Sequence, residues 1–127
     1  MHNYHKDGTQ ANSREIFVFG SNESGIHGAG AAAAALDFYG AKWGHGFGFS
    51  GQSFAIPTKD WVINSLSLSQ ISFYVKRFIV SSKLIDKQFF ITRIGCGLAG
   101  YKDSDIAPMF KGMGDNCDMP IQWKEYL

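Results

Sequence analysis

The feature that most constrains the fold is a repeated unit, in which a short apolar run ends in glycine or proline and a helical segment follows. Three runs are rich in β-branched and aromatic residues, as buried strands are: EIFVFG (15–20), SFAIP (53–57) and QFFITRIG (88–95). Because strands alternate with helices, the pattern predicts an α/β fold, a three-layer α/β/α sandwich with a mixed, mostly parallel central sheet.

The intervening segments carry the signals of helices. GAGAAAAALDFYG (28–40) is rich in alanine, and Gly40 is the expected C-cap. Between 66 and 84, apolar residues recur on one helical face behind Ser67, the expected N-cap; they are Leu68, Ile71, Val75, Phe78 and Ile79. A further helix is predicted after residue 102, with Asp103 or Ser104 as its N-cap.

Other segments are less regular. GHGFGFSGQ (44–52) is predicted to be a loop or an irregular strand, and MPIQW (119–123) a last strand. Pro57 is expected to close the strand SFAIP, since proline cannot donate to a sheet. The polar residues 1–14 lack periodicity and are expected to form a flexible leader, with a single domain over 15–127.

Composition excludes several classes of protein. The net charge is +1, and basic residues are scattered through the chain, which argues against broad, salt-driven nucleic-acid binding; they include Lys42, Lys59, Lys76, Arg77 and Arg93. Cys96 and Cys117 lie far apart without metal-ligand spacing, so free thiols in the cytoplasm are expected, with no metal and no cofactor. No apolar run approaches the roughly 20 residues of a membrane span, and no signal peptide opens the chain.

Two predicted strands end in glycine-rich loops that lead into helices. The first reads GSNESGIHGAG (20–30) and the second GCGLAGY (95–101). Glycine lets the backbone approach a ligand closely, and successive amide groups beside a helix N-terminus bind phosphate oxygens. Two such loops at one sheet edge predict a diphosphate nucleotide ligand. A P-loop is excluded because no lysine follows the first loop, and a dinucleotide fingerprint because the third glycine is missing.

These loops resemble the ligand loops of macro domains, the ADP-ribose-binding α/β/α modules. VFGSNESGIHGAGAAAAAL (18–36) resembles the first loop and IGCGLAGYKDSDIAPMF (94–110) the diphosphate loop, while IPTKDW (56–61) resembles the catalytic turn of the glycohydrolase branch. That branch contains DNA ADP-ribosyl glycohydrolase antitoxins and the terminal ADP-ribose glycohydrolase. More narrowly, the chain looks like small phage- and prophage-associated macro-domain-like proteins.

The resemblance implies a role for each matching residue. Lys59 would be the catalytic nucleophile that attacks C1″ of an ADP-ribosyl adduct. Asn22 would lie near the distal ribose and contribute to catalysis. Where one pattern of the branch has an aspartate, this chain has Ala99, so Asp103 would manage the protons. The remaining ligand-binding residues of the resemblance would be Gly25, Gly28, Gly30, Gly95, Gly97, Leu98, Ala99, Gly100 and Tyr101. His27 and Cys96 join them as candidates because they lie within the same glycine-rich loops.

Simpler interpretations stand beside these roles. Lys59 could be a solvated turn residue paired with Asp60, and Asn22 a turn former that bonds its own backbone. His27 could be an exposed loop residue, and Cys96 a packing residue rather than a nucleophile. Three aromatic residues could line the nucleotide pocket or belong to the core; they are Trp43, Phe47 and Phe49.

The resemblance implies two functions. The first is binding of ADP-ribose or a related NAD-derived nucleotide, with hydrolysis of an ADP-ribosyl linkage on DNA or protein through Lys59. The alternative is a non-catalytic reader or sponge, which would bind a nucleotide signal without turnover. A structural module that retains only the fold is the third class, and the two glycine-rich loops argue against it.

Overall fold

The computed structural model describes residues 2–127, which form one six-stranded sheet with helices on both faces. The order of strands across the sheet is β1-β6-β5-β2-β4-β3. Neighbouring strands are parallel except β3 and β4, which are antiparallel. The strands are β1 (Asn3–His5), β2 (Glu15–Asn22), β3 (Gly48–Ser50), β4 (Ser53–Lys59), β5 (Gln88–Ile91) and β6 (Cys117–Pro120). The α-helices are α1 (Gly30–Phe38), α2 (Leu68–Ser82) and α3 (Asp103–Ile106), and 3₁₀ helices follow at Ala107–Phe110 and Ile121–Tyr126.

Strand β2 lies inside the sheet because both of its faces are apolar. It pairs with β4 on one side and β5 on the other. Val18 belongs to the core on one face of the sheet, and Phe17 and Phe19 belong to the core on the other. Alternate residues of a strand point to opposite faces, so a run that is apolar throughout requires a helical layer on each side.

Helix α2 covers the larger core. Ile71, Val75 and Phe78 are fully buried on its inner face, as the sequence predicts. Its N-terminus is a capping box, in which Ser67 Oγ accepts from the Gln70 N–H and Gln70 Oε1 accepts from the Ser67 N–H. The segments of α3 and the two 3₁₀ helices complete this layer, which includes the buried side chains of Phe110 and Trp123.

Helix α1 covers the opposite face with small side chains. Its buried residues are Ala32 and Ala35, which pack with Phe17 and Phe19. Because alanine lets the helix axis come close to the sheet, nine residues close this side of β2. The chain then leaves the helix at Gly40, whose φ of +75° is the left-handed conformation expected after a helix C-terminus. The predicted three-layer α/β/α fold is confirmed.

Three details differ from the sequence-based expectations. Residues 3–5 of the expected leader form edge strand β1, which pairs with β6 and which His5 fastens by a 2.8 Å contact to Asp118. Strand β4 continues through Pro57 to Lys59, because the antiparallel strand β3 begins opposite Ala55 and so leaves no neighbour that would need the missing N–H. The last strand begins at Cys117 and ends at Pro120, since residues 121–126 turn into a 3₁₀ helix.

Within residues 2–127, no helix is both long enough and apolar enough to cross a bilayer.

Candidate functional site

A cavity of about 590 Å³ opens at the carboxyl edge of the three central strands. The chain leaves β2 through α1 towards β4, and it leaves β5 in the opposite direction towards β6. The connections therefore diverge between β2 and β5, which is the place where open α/β sheets form their ligand crevice. Three segments line the cavity: the end of β2 with the loop into α1, the end of β4 with its turn, and residues 92–99 after β5. The segments singled out in the sequence are thus brought together.

The side chains on the cavity wall carry positive charge. Lys59 and Arg93 line it, and among residues 2–127 no aspartate or glutamate does. Within the same part of the chain Lys59 makes no ion pair, whereas Arg93 is paired with Asp103. Most of the remaining wall consists of glycine, alanine and aliphatic side chains. Such a wall suits an anion that also carries an apolar group.

Asn22 uses its side chain to shape the first loop. Its Oδ1 accepts from the Ile26 N–H at 2.8 Å and from the Ser24 hydroxyl at 2.9 Å, and its Nδ2 donates to the Ile26 carbonyl at 2.8 Å. Asn22 lines the cavity, but these three bonds are those of a turn former. The side chain fixes the loop from within, as the simpler interpretation of Asn22 predicts.

Gly25 does not line the cavity, and only glycine fits at this position because the backbone of a neighbouring loop lies against it. Its φ is +72°, and a Cβ built there would lie 2.3 Å from the carbonyl carbon of Gly44. Gly46 has the same constraint, since a Cβ there would lie 2.4 Å from the Asn22 carbonyl oxygen. The two loops therefore pack backbone against backbone. The sequence predicts a glycine-rich loop here, but the contact that needs Gly25 is with the chain itself.

His27 is buried, at 1% exposure, so the interpretation of an exposed loop histidine is wrong. It is absent from the cavity lining, and its ring meets Phe19 edge-on at a centroid distance of 5.3 Å. Nε2 donates to the His45 carbonyl at 3.2 Å, while Nδ1 has no partner within residues 2–127. Burial lowers the pKa of His27, because the charged imidazolium would lose its hydration. His27 thus packs as a neutral ring behind the loop.

The N-terminus of α1 opens onto the cavity. Gly28, Ala29 and Gly30 line it, and the N-cap residue Ala29 offers no side-chain hydrogen bond. The first N–H groups of a helix have no intrahelical acceptor and carry partial positive charge. This end of α1 is therefore available to an anion.

The turn after β4 presents Lys59 to the cavity. Asp60 does not pair with it, because Asp60 Oδ1 accepts from the backbone N–H groups of Val62 at 2.9 Å and Asn64 at 3.0 Å. Lys59 is also held at its backbone, since its carbonyl accepts from the Glu23 N–H at 2.9 Å. The predicted Lys59–Asp60 pair is therefore absent from the described structure. A positioned lysine without an acidic partner can contact a phosphate or an electrophilic carbon.

The second glycine-rich loop lines the cavity from Gly95 to Ala99, whereas Gly100 and Tyr101 lie outside the lining. Gly95 has a φ of +78°, and a Cβ there would lie 3.1 Å from Ile106 Cδ1, so glycine is needed to pass over α3. Gly97 has no atom within 4 Å of a built Cβ and faces open space. The Tyr101 hydroxyl donates to the Leu66 carbonyl, so this side chain joins the loop to the start of α2.

Asp103 anchors the second loop from behind. Its carboxylate accepts from Arg93 Nε at 3.0 Å and Nη2 at 2.7 Å, and from the indole N–H of Trp123 at 2.8 Å. The Arg93 guanidinium holds the pKa of Asp103 below its ordinary value, so the group stays ionised at neutral pH. Since Asp103 is outside the cavity lining, this geometry does not provide the proton-transfer role that the resemblance implies.

Cys96 lies on the cavity wall as a thiol. Burial, and then the nearby Asp103 carboxylate, raise the pKa of Cys96 to about 12. A thiol with that pKa is a poor nucleophile at neutral pH, which agrees with the packing interpretation. The candidate aromatic residues lie outside the lining: Trp43 and Phe49 are exposed, and Phe47 packs against the larger core.

Several lining residues are absent from the sequence-based site. Thr58, Thr92 and Arg93 lie within two residues of the carboxyl ends of β4 and β5, where a parallel sheet forms its ligand crevice, so including the last residues of each strand end would have found them. Ile26 and Ile63 line the opening without any local signal, because exposed aliphatic residues in loops carry no recognisable pattern.

No family model matches this chain, and comparison with curated proteins and with solved structures returns no match.

Proposed function

We propose that this chain binds ADP-ribose or a related NAD-derived nucleotide in the cavity at the carboxyl edge of the sheet. One observation carries the proposal: two glycine-rich loops, the free N-terminus of α1 and Lys59 all face one cavity. Backbone N–H groups and one cation in this arrangement suit a diphosphate. The volume of about 590 Å³ lies within the range of nucleotide-sized ligand sites.

The first test is calorimetric titration with ADP-ribose. The wild type is expected to bind in the micromolar range. Gly97→Glu is expected to weaken binding at least about tenfold, because its carboxylate would enter the cavity and repel the diphosphate. Gly112→Glu is the matched control, since Gly112 is exposed and lies outside the cavity lining, and a Cβ at this position would come no closer than 3.7 Å to another side chain.

The outcome decides between clear alternatives. Loss of affinity in Gly97→Glu with normal affinity in Gly112→Glu would support the site. Absence of heat from a folded wild-type protein, or equal affinity in the Gly97→Glu variant, would contradict the proposal.

A second candidate function is hydrolysis of an ADP-ribosyl linkage on DNA or protein. Lys59 favours it, because this residue lines the cavity and its amine makes no ion pair within residues 2–127. The neutral amine would attack C1″ and break the bond to the DNA or protein group, which leaves with a proton; the adduct would then open its ribose ring to a Schiff base, and water would hydrolyse this to ADP-ribose and the free amine. The reaction also needs a proton acceptor, and none of the acidic residues in 2–127 lines the cavity. This favours the reader or sponge over the hydrolase.

Turnover of ADP-ribosylated DNA and protein separates the two functions. The hydrolase requires that Lys59→Ala abolish product while ADP-ribose binding falls only severalfold. The reader or sponge requires ADP-ribose binding without product in the wild type. Product formation that persists in Lys59→Ala would remove Lys59 from the mechanism.

We further propose that the protein acts in the cytoplasm, in a bacterial or phage-infected cell. Both cysteines are unpaired, and Cys117 is buried, as is usual in a reducing compartment.

A further inference from the structure

The turn after β4 contains a strained residue. Ile63 has a φ of +67°, and among residues 2–127 it is the only non-glycine residue with positive φ. For a β-branched side chain this left-handed conformation is costly, whereas glycine or asparagine adopts it readily. Ile63 therefore occupies a backbone conformation that glycine or asparagine would adopt at lower cost.

The turn holds this conformation through a dense set of backbone bonds. Lys59 and Ser65 form an antiparallel bridge, and the Asp60 N–H donates to the Asn64 carbonyl at 2.8 Å. The Ser65 hydroxyl donates to the Ala99 carbonyl at 2.8 Å, which ties the turn to the second glycine-rich loop. Ile63 is thus fixed in position relative to the cavity rather than carried on a loose loop.

Ile63 is the member of its turn that reaches the cavity. It lines the opening at 40% exposure, while Trp61 and Val62 are more exposed and lie outside the lining. Each of the other two loops contributes one exposed aliphatic side chain to the same lining: Ile26 at 42% and Leu98 at 73% exposure. One apolar residue from each loop therefore stands at the opening, beside a wall that carries Lys59.

We infer that Ile26, Ile63 and Leu98 form an apolar collar that contacts the nucleobase of the ligand, with Ile63 as its specificity-determining residue. A flat heterocyclic ring gains dispersion contacts and loses water against aliphatic side chains, whereas a bare sugar phosphate gains neither. The inference rests on the proposed function and adds that the site selects a base-bearing nucleotide over the sugar phosphate alone.

The test compares two ligands and three proteins by calorimetry, with thermal unfolding measured on each protein. Ile63→Gly should weaken ADP-ribose binding about tenfold and leave ribose 5-phosphate binding unchanged. Its unfolding temperature should stay equal to that of the wild type or rise, because the strained φ is relieved. Val62→Gly is the matched control in the same turn and should bind ADP-ribose as the wild type does.

Each other outcome overturns a defined claim. Equal ADP-ribose affinity in the wild type and Ile63→Gly would overturn the collar, and so would equal loss of both ligands. A wild type that binds ribose 5-phosphate as tightly as ADP-ribose would overturn the base contact while leaving a phosphate site. A folded wild type that binds neither ligand would overturn the proposed function and the collar with it.

Discussion

The contact of Asp103 with Arg93 and Trp123 yields a prediction whose size follows from the structure. The ion pair has side-chain exposures of 37% for Arg93 and 20% for Asp103, so solvent screens it and it contributes about 0.5–1 kcal/mol. Trp123 is fully buried, and removal of its acceptor leaves an indole N–H without a partner, at a cost of about 1–3 kcal/mol. Asp103→Ala should therefore lower the free energy of unfolding by about 1.5–4 kcal/mol, with a middle value of about 2.5 kcal/mol.

Asp103→Asn separates the two contributions. The amide oxygen in the place of Oδ1 can still accept from the Trp123 indole, while the ion pair is lost together with the Arg93 Nη2 bond to Oδ2, at a cost of about 1 kcal/mol. For 127 residues, each kcal/mol corresponds to about 4 °C in unfolding temperature. Thermal and urea unfolding should therefore place the asparagine variant about 4 °C below the wild type and the alanine variant about 10 °C below it.

Salt and pH provide the controls. In about 1 M salt the loss in Asp103→Asn should shrink, while the difference between the two variants persists because a buried N–H is not screened. The folded pKa of Asp103 is lowered, so its stabilisation is present above the ordinary value of 3.8 and is lost as the pH falls through the folded pKa. Equal losses in the two variants would refute the reasoning, since the Trp123 bond would then contribute nothing.

Three further predictions follow from the same contacts. Gly25→Ala should destabilise the protein by more than about 3 kcal/mol in urea unfolding, while Gly28→Ala, where a Cβ meets no atom within 4 Å, should stay within about 0.5 kcal/mol; equal effects would contradict the loop packing. Ser67→Ala should cost about 1 kcal/mol by loss of the α2 cap, and a neutral result would remove the capping box from the account. The lowered pKa of His27 means that its stabilisation is present above pH 6.5 and is lost as the pH falls through the folded pKa. In urea unfolding, the free energy of unfolding of His27→Leu should therefore decline less on acidification than that of the wild type. Identical pH profiles would contradict burial of a neutral ring.

The central part of the fold is predictable from sequence because its signals are local. The helical face of α2 and its cap at Ser67 appear in the sequence as they do in the structure. The edges are not predictable in this way. Strand β1 is three residues long and has no periodicity to detect. Strand β4 passes through Pro57 only because its pairing with β3 does not extend beyond Ala55. For β1 the deciding partner is β6, which is distant in sequence, and for β4 it is the adjacent strand β3, whose short length has no sequence signal.

The position of the site is predictable from sequence, but the hydrogen-bond partners of its polar side chains are less so. Strand ends fix where the three loops meet, so the convergence at one edge follows from the parallel sheet. The local bonds of Asn22 to Ile26 follow from its residue type, but the bond between Asp103 and Trp123 spans twenty residues and no spacing rule reveals it. The strain at Ile63 is also invisible in sequence, since isoleucine is among the residues least expected at positive φ.

Most of the described polar side chains near the cavity hold the loops in place and do not face a ligand. Asn22 holds the first loop, Asp60 the turn and Asp103 the second loop, each through bonds to atoms of the chain itself. A side chain whose acceptors are occupied in this way has little left for a ligand, and it fixes the backbone that remains exposed. The cavity therefore offers a ligand mainly backbone N–H groups, the amine of Lys59 and an apolar collar. Because fixed backbone groups recognise phosphate by geometry, the site that we propose needs no dedicated polar side chain for a diphosphate, and within residues 2–127 Lys59 is the one polar side chain of the lining without a hydrogen bond or ion pair to the chain.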